Sequence, residues 1–511
     1  MRFPRSSGLL LHPTSLPGGH GIGDLGPTAF EFLDFLSSAG QTLWQVLPLG
    51  PTGYEDSPYQ TFSAFAGNPI LISLELLAGQ GLLRASEVRD LPQPPGNVVY
   101  AEVLQRKLPL LRKAAQAFAH QASGAQKSAL EQFRTRAGYW IEDYSLFMAL
   151  KETHGMQSWT TWPQPLRDRQ AEALAEARKR YAAQCEAHTV MQHLFFEQWS
   201  ALRQACHDRG VRLMGDIPIY AAGDSADVWA KRQYWLTRDD GNPEFMAGVP
   251  PDYFSATGQL WGNPIYRWDA HQRDGYAWWI ERFRATLQMV DMVRVDHFRG
   301  FQAYWQVPWG ESTAMKGEWV PGPGASIFEA VEKALGELPI LAENLGVITP
   351  EVEAIRHRFG LPGMAILQFA FGKDPQAPDF KPHNYPREVV AYSGTHDNDT
   401  TVGWWTSTGQ GDSTRTAQDI ADERAFTLEY LGVDGHEIHW SFIRTLLGSV
   451  ADTVIFPVQD VLGLGSEARM NMPSTVGRNW KWRMLPGALT HTHAERLRRM
   501  VNVYDRRSKV A

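Results

Sequence analysis

Eight short apolar, β-prone runs, most of them separated by helical patterns, restrict what this chain can fold into. They fall at residues 8–11, 42–48, 212–216, 292–296, 340–343, 364–369, 389–392 and 453–458. A strand covered on both faces reads as a nearly continuous apolar run, and strand–helix alternation builds a parallel sheet with helices outside it. Eight such units predict an α/β fold, a (β/α)8 TIM barrel whose chemistry lies at the carboxyl ends of the strands.

Three of those ends are acidic. Met292-Val293-Arg294-Val295-Asp296 places Arg294 and Asp296 two residues apart, hence on the same side of a strand. Arg294 can therefore hold the Asp296 carboxylate ionised and in place. Ile340-Leu341-Ala342-Glu343 ends on Glu343, and Val389-Val390-Ala391-Tyr392 runs into Ser393-Gly394-Thr395-His396-Asp397-Asn398. Glycosidic chemistry needs one carboxylate nucleophile and one carboxylic acid on either side of the scissile bond, and a third carboxylate can bind hydroxyls as the ring gains charge.

The bulk properties suit a globular enzyme. The 511 residues are 43% hydrophobic and 21% charged, with a formal net charge of −7 spread along the chain, so no basic stripe argues for nucleic acid. Only Cys185 and Cys206 occur, too few for a disulfide framework or a cysteine metal site. The apolar run at residues 9–11 stops at His12-Pro13, and no stretch approaches the ~18 residues of a membrane span. We expect a cytoplasmic protein, with no membrane partner and an oligomeric state the sequence leaves open.

The spacing of the strands is uneven. About 160 residues part the second and third strands, far more than an ordinary connection, and residues 165–210 have an amphipathic helical pattern with Pro165 and Gly210 at its bounds. A mostly helical insertion is expected at about 70–205. A second, aromatic-rich insertion is expected at about 217–290, with Trp229, Trp235, Phe245, Tyr253, Phe254, Trp261, Tyr266 and Trp268. Both would sit on one catalytic barrel spanning 1–511. Roughly fifty residues follow the eighth run, too few for a C-terminal β-sandwich domain.

Several further blocks span nearly the whole chain: Leu11-His12-Pro13-Thr14-Ser15-Leu16-Pro17, Ser57-Pro58-Tyr59-Gln60, Gly67-Asn68-Pro69, Gly215-Asp216-Ile217-Pro218-Ile219-Tyr220, Gly248-Val249-Pro250-Pro251-Asp252-Tyr253-Phe254-Ser255, Gly258-Gln259-Leu260-Trp261-Gly262-Asn263-Pro264 and Arg469-Met470-Asn471-Met472-Pro473. With the acidic strand ends they resemble the 4-α-glucanotransferases (amylomaltases, disproportionating enzymes) of glycoside hydrolase family 77, relatives of the α-amylase superfamily. The acidic ends alone would indicate only the superfamily; the 248–255 and 258–264 blocks point to this family.

The resemblance implies a retaining double displacement with Asp296 as nucleophile, Glu343 as acid/base and Asp397 as the carboxylate that stabilises the transition state. It implies sugar binding by Ser57, Tyr59, Asp216, Asp252, Phe254, Gln259, Trp261, Arg294, His396 and Asn471, with maltooligosaccharides, amylose, or glucans derived from starch or glycogen as substrates. Tyr59 would be an aromatic platform; the alternative is a tyrosine closing a loop over the core. Asp216 could equally be a structural cap at the third strand end. The 248–255 loop, stiffened by Pro250-Pro251, would cover the cleft and favour a sugar acceptor over water.

Three other readings stay open. Water attacking the glycosyl-enzyme would make the chain an α-1,4-glucan hydrolase, and a cleft without turnover would make it a glucan-binding protein. A metal-dependent barrel would need three or four convergent ligands, but His12, His297 and His396 have no HxxxH or HxH spacing among them. No metal and no organic cofactor are expected.

Overall fold

The computed structural model describes residues 3–251, 255, 257–409 and 416–507. Eight parallel strands form one sheet: β1 (Ser6–Leu10), β2 (Leu43–Gln45), β3 (Arg212–Ile217), β4 (Met292–Val295), β5 (Ile340–Ala342), β6 (Gly363–Ile366), β7 (Val389–Tyr392) and β8 (Thr453–Pro457). The order is β6-β7-β8-β1-β2-β3-β4-β5, so the chain winds once around a barrel. Apart from Arg212, every residue of these strands is buried, because one face fills the interior and the other meets helices.

The seam between β5 and β6 is closed partly by a side chain. Ala342 N–H donates to the Pro362 carbonyl at 2.9 Å, and Met364 N–H donates to Asn344 Oδ1 at 2.8 Å. Gly363 allows that approach: a Cβ there would stand 2.7 Å from Asn344 Oδ1. Glu343 lies beside this seam.

All eight expected strands are present, with ends shifted by up to a few residues. The largest shortening is at 42–48, where the strand is Leu43–Gln45, and at 364–369, where Leu367–Ala370 is a 3-10 turn. The 165–210 pattern is three helices, Gln164–Arg167, Ala171–Arg180 and Ala182–Asp208, rather than one. Gly210 then turns the chain into β3 with φ +68°, a conformation that costs glycine little.

Helices Tyr100–Gln121 and Ile141–Thr153 lie in the long β2–β3 connection, and each contributes a buried lysine. Lys107 Nζ reaches Asp24 Oδ2 at 2.9 Å in the connection after β1, and Lys151 Nζ reaches Asp224 Oδ2 at 2.6 Å after β3. Removing one partner of a pair like Lys107–Asp24 would strand a buried charge, which ties these helices to the loops at the strand ends.

The β3–β4 connection contains a structure the sequence did not suggest. Its strands Phe245–Val249 and Gln259–Pro264 pair antiparallel, and Ala303–Pro308 and Glu318–Pro321, which follow β4, extend them into a four-stranded sheet. The apolar–aromatic run hid a two-part sheet because half of it comes from beyond β4. Beside it, Trp278 and Trp279 flank the buried Arg282 guanidinium, which donates to the Pro218 carbonyl at 2.6 Å and fixes the chain leaving β3. No strand follows β8 among the described residues.

Candidate active site

The carboxyl ends of β3, β4, β5 and β7 converge on one cluster of carboxylates organised around Arg294. This side chain, inside β4 and almost fully buried, donates from Nη1 to Asp216 Oδ2 and from Nη2 to Asp296 Oδ1, both at 2.6 Å. Tyr59 Oη donates to the same Asp216 oxygen at 2.7 Å. Asp216 thus joins β3, β4 and the 57–60 loop rather than capping its own strand. Burial pushes its carboxyl up to about 7, assisted by Asp296 and opposed by Arg294. Its Oδ1 is buried without a hydrogen-bond partner among the described residues.

Asp296 sits just past β4, its N–H donating to the Ile217 carbonyl at 2.9 Å. Its side chain is 28% exposed, against 0% for Asp216, so Asp296 is the partner of Arg294 that faces the cleft. The next residue, His297, takes the left-handed conformation (φ 49°), and its N–H donates to Glu343 Oε2 at 2.7 Å. Leu345 N–H donates to Glu343 Oε1 at 2.8 Å.

Those two backbone donors pull the Glu343 carboxyl down. Burial, then the nearby Asp296 charge, outweigh them and Arg294, so Glu343 is raised to about 7. A carboxyl poised there can give and take a proton near neutrality.

Asp397 follows β7 on a turn held by Asn398, whose Oδ1 accepts from Thr395 N–H at 2.8 Å. Asn471 Nδ2 donates to Asp397 Oδ1 at 2.6 Å, and His396 Nε2 lies 3.4 Å from Oδ2. Burial lowers the His396 imidazole below its ordinary value, against the opposing pull of Asp397. Tyr59 stacks on His396, with ring centres 5.2 Å apart and planes at 14°.

Ser57 Oγ accepts from Tyr59 N–H at 3.2 Å and shapes that loop. Gln259 and Trp261 enter from the antiparallel sheet, where Trp261 Nε1 donates to Gln259 Oε1 at 3.2 Å. The Trp261 ring meets His297 edge-on at 4.9 Å. Gln60 Nε2 bonds Asn263 Oδ1 at 2.9 Å, tying the tyrosine loop to this sheet. Asp252 and Phe254, with Tyr253, lie outside the described residues.

Three contributions to this cluster escaped the sequence reading. His297 contributes through a backbone N–H, which no residue type reveals. Arg469 Nη2 donates to the Asp397 carbonyl at 2.6 Å; its place in the 469–473 block was the available signal. Trp480, 5.7 Å from Tyr59 and 5.9 Å from His396, completes an aromatic trio from a region without periodicity. Among the described residues, no group of three or more His, Cys, Asp or Glu is arranged to hold a metal, and no helix is long and apolar enough to cross a membrane.

The profile of glycoside hydrolase family 77, described as 4-alpha-glucanotransferase, matches residues 11–490. The chain belongs to this family. It is 50% identical to the 4-alpha-glucanotransferase of Thermus thermophilus over 99% of its own length and 100% of that protein's. It is 43% identical to the chloroplastic/amyloplastic 4-alpha-glucanotransferase of Solanum tuberosum, covering 98% of this chain and 86% of the relative. In three dimensions it matches an amylomaltase from Streptococcus agalactiae, solved in complex with acarbose, at 38% identity and a TM-score of 0.93, covering 99% of this chain and 100% of that one. Such agreement makes the barrel that of a family 77 member.

Proposed function

We propose that this 4-α-glucanotransferase moves α-1,4-glucan segments from a donor to the 4-hydroxyl of an acceptor glucan or glucose by a retaining double displacement. The observation that carries this reading is the contrast between two neighbouring carboxyl groups: Asp296 is held by Arg294 and open to the cleft, while Glu343 is buried and raised to about 7.

In the first step an Asp296 oxygen attacks the anomeric carbon as the glycosidic C–O bond breaks, and Glu343 gives its proton to the departing sugar oxygen. In the second, Glu343 takes the proton of an acceptor hydroxyl, and that oxygen displaces Asp296. Asp397, oriented by Asn471, stabilises the ring as it gains positive charge. Tyr59, backed by its stacked neighbour His396, is the aromatic platform for the sugar, and His396 hydrogen-bonds sugar hydroxyls. Ser57, Asp216, Gln259, Trp261 and Arg294 bind it or hold the groups that do, and Asp252 and Phe254 join them from the 248–255 loop.

Maltooligosaccharides, amylose and glucans derived from starch or glycogen are the substrates, a reading supported by the acarbose complex of the streptococcal amylomaltase. The 70–205 and 217–290 segments are insertions on one catalytic barrel, and the 248–255 segment, whose first two residues end the strand Phe245–Val249, favours a sugar acceptor over water. No cofactor enters this chemistry. A cytoplasmic location accords with the two free thiols, Cys185 and Cys206.

Incubation with maltotriose is the test. Transfer conserves glycosidic bonds, so glucose and a ladder of longer maltooligosaccharides should form while reducing ends barely rise. Reducing ends that rise in step with substrate loss, with nothing longer than maltotriose, would make the chain a hydrolase; binding without turnover would make it a glucan-binding protein.

A further inference from the structure

Beyond the catalytic cluster, the turn that follows Asp296 carries a buried cation with no carboxylate partner among the described residues. Arg299, in the 3-10 turn Phe298–Phe301, is 7% exposed. Its Nη1 donates to the Val347 carbonyl, and its buried Nε has no hydrogen-bond partner among the described residues. The guanidinium lies over the indole of Trp319, 3.9 Å from the ring centre. Desolvation without a compensating anion holds Arg299 below the usual arginine range, so what fixes it is the carbonyl and the indole face.

This contact joins two parts of the molecule. Val347 belongs to the segment that leaves Glu343, and Trp319 belongs to the strand Glu318–Pro321 of the antiparallel sheet. Trp305 supports Trp319 across the strands, edge to ring at 5.3 Å. Trp319 nonetheless remains 39% exposed and Val347 64%. An indole fixed by a cation and a neighbouring tryptophan loses little further rotamer freedom on binding, which suits it to a ligand surface.

The side of the cleft follows from the chemistry. Glu343 protonates the oxygen of the leaving sugar and later activates the acceptor hydroxyl, so the segment that carries it borders the acceptor. Resting on the glucanotransferase reading, we propose that Trp319, held by Arg299 beside Val347, is an outer acceptor subsite. Its occupant is the second or third glucose unit of an α-1,4-glucan acceptor, whose apolar ring face packs on the indole. A single glucose acceptor, bound next to Glu343, does not reach it.

The test varies the acceptor. With one donor, such as maltoheptaose, kcat/KM is measured for glucose and for maltotriose as acceptors in wild type, Trp319→Ala and Trp319→Phe. We expect Trp319→Ala to lower the maltotriose-to-glucose ratio about tenfold, mainly through the KM of maltotriose, and Trp319→Phe to restore most of it, since one such contact is worth on the order of one factor of ten. Thermal unfolding of each variant reports any loss of folded protein, and the ratio is insensitive to it. An unchanged ratio in Trp319→Ala, whether both acceptors suffer equally or neither does, overturns the subsite while leaving the transferase reading intact. A wild type that transfers to neither acceptor overturns both.

Discussion

The backbone N–H of His297 donates to Glu343 Oε2 at 2.7 Å. The residue after the proposed nucleophile therefore positions the proposed acid, and the left-handed turn at His297 links the two halves of the reaction. Displacing either strand end moves both groups together.

Asp296→Asn and Glu343→Gln should each abolish most turnover in folded protein. A positioned general acid contributes ~10²–10⁴-fold, and loss of the nucleophile removes the covalent route as well. Glu343→Gln also puts an amide N–H₂ where one of two backbone donors now finds an oxygen, so circular dichroism must accompany the kinetics. Asp397→Asn should be severely impaired too. Losses under about tenfold would contradict these roles, since tenfold is only ~1.4 kcal/mol of transition-state stabilisation.

The pH dependence follows from Glu343. Donor cleavage needs the protonated acid, which burial holds up to about 7, so kcat/KM should fall as pH rises through that value, approaching tenfold per unit beyond it. A glucosyl fluoride donor, whose leaving group needs little protonation, should lose much of that alkaline limb. An identical limb with both donors would assign it to another group.

Arg294→Met tests the charge balance inside the barrel. Asp216 would keep its burial and lose its counter-ion, so ionising it would strand a buried charge. The sign of the pH dependence is set by the raised carboxyl: already about 7 with Arg294 present, it rises further without it. From the unfolded value near 4 up to about 7, wild type and variant alike hold a proton that the unfolded chain releases and lose stability together; above that value only the variant goes on losing stability as pH rises. Urea unfolding at pH 5 and pH 8 should show the larger deficit at pH 8; an equal deficit would mean that Asp216 is not the group left unpaired.

Gly363→Ala should weaken the barrel seam. The new methyl group would meet Asn344 Oδ1 at 2.7 Å, and overpacking of this kind costs about 1–3 kcal/mol. Because Asn344 adjoins Glu343, turnover should fall with stability. Gly79→Ala, where a Cβ meets nothing within 4 Å, provides a control that should not lose stability. A fully active Gly363→Ala would uncouple the seam from the acid.

The barrel was legible because its signal is local. Each buried strand is a run of apolar residues such as Val389-Val390-Ala391-Tyr392, and the acids mark the ends. Arg294 and Asp296 could be placed on one side from alternation alone. What stayed hidden depends on distant partners: the sheet that Phe245–Val249 shares with Ala303–Pro308, the Trp480 ring beside Tyr59, and the Arg469 bond to Asp397. Asp216 was left between a cap and a ligand because its true partners, Tyr59 and Arg294, come from other strand ends. Backbone groups such as His297 N–H carry no residue signature at all.

The central claim is that Asp296 carries the sugar between donor and acceptor. Glu343→Gln incubated with maltotriosyl fluoride can form the ester without an acid, but it lacks the base that activates an incoming hydroxyl, so the intermediate should accumulate. Acid quench, digestion and peptide mass measurement should find one maltotriosyl unit on the peptide containing Asp296. Fluoride release with no adduct on any peptide, or an adduct on a residue other than Asp296, would contradict the account.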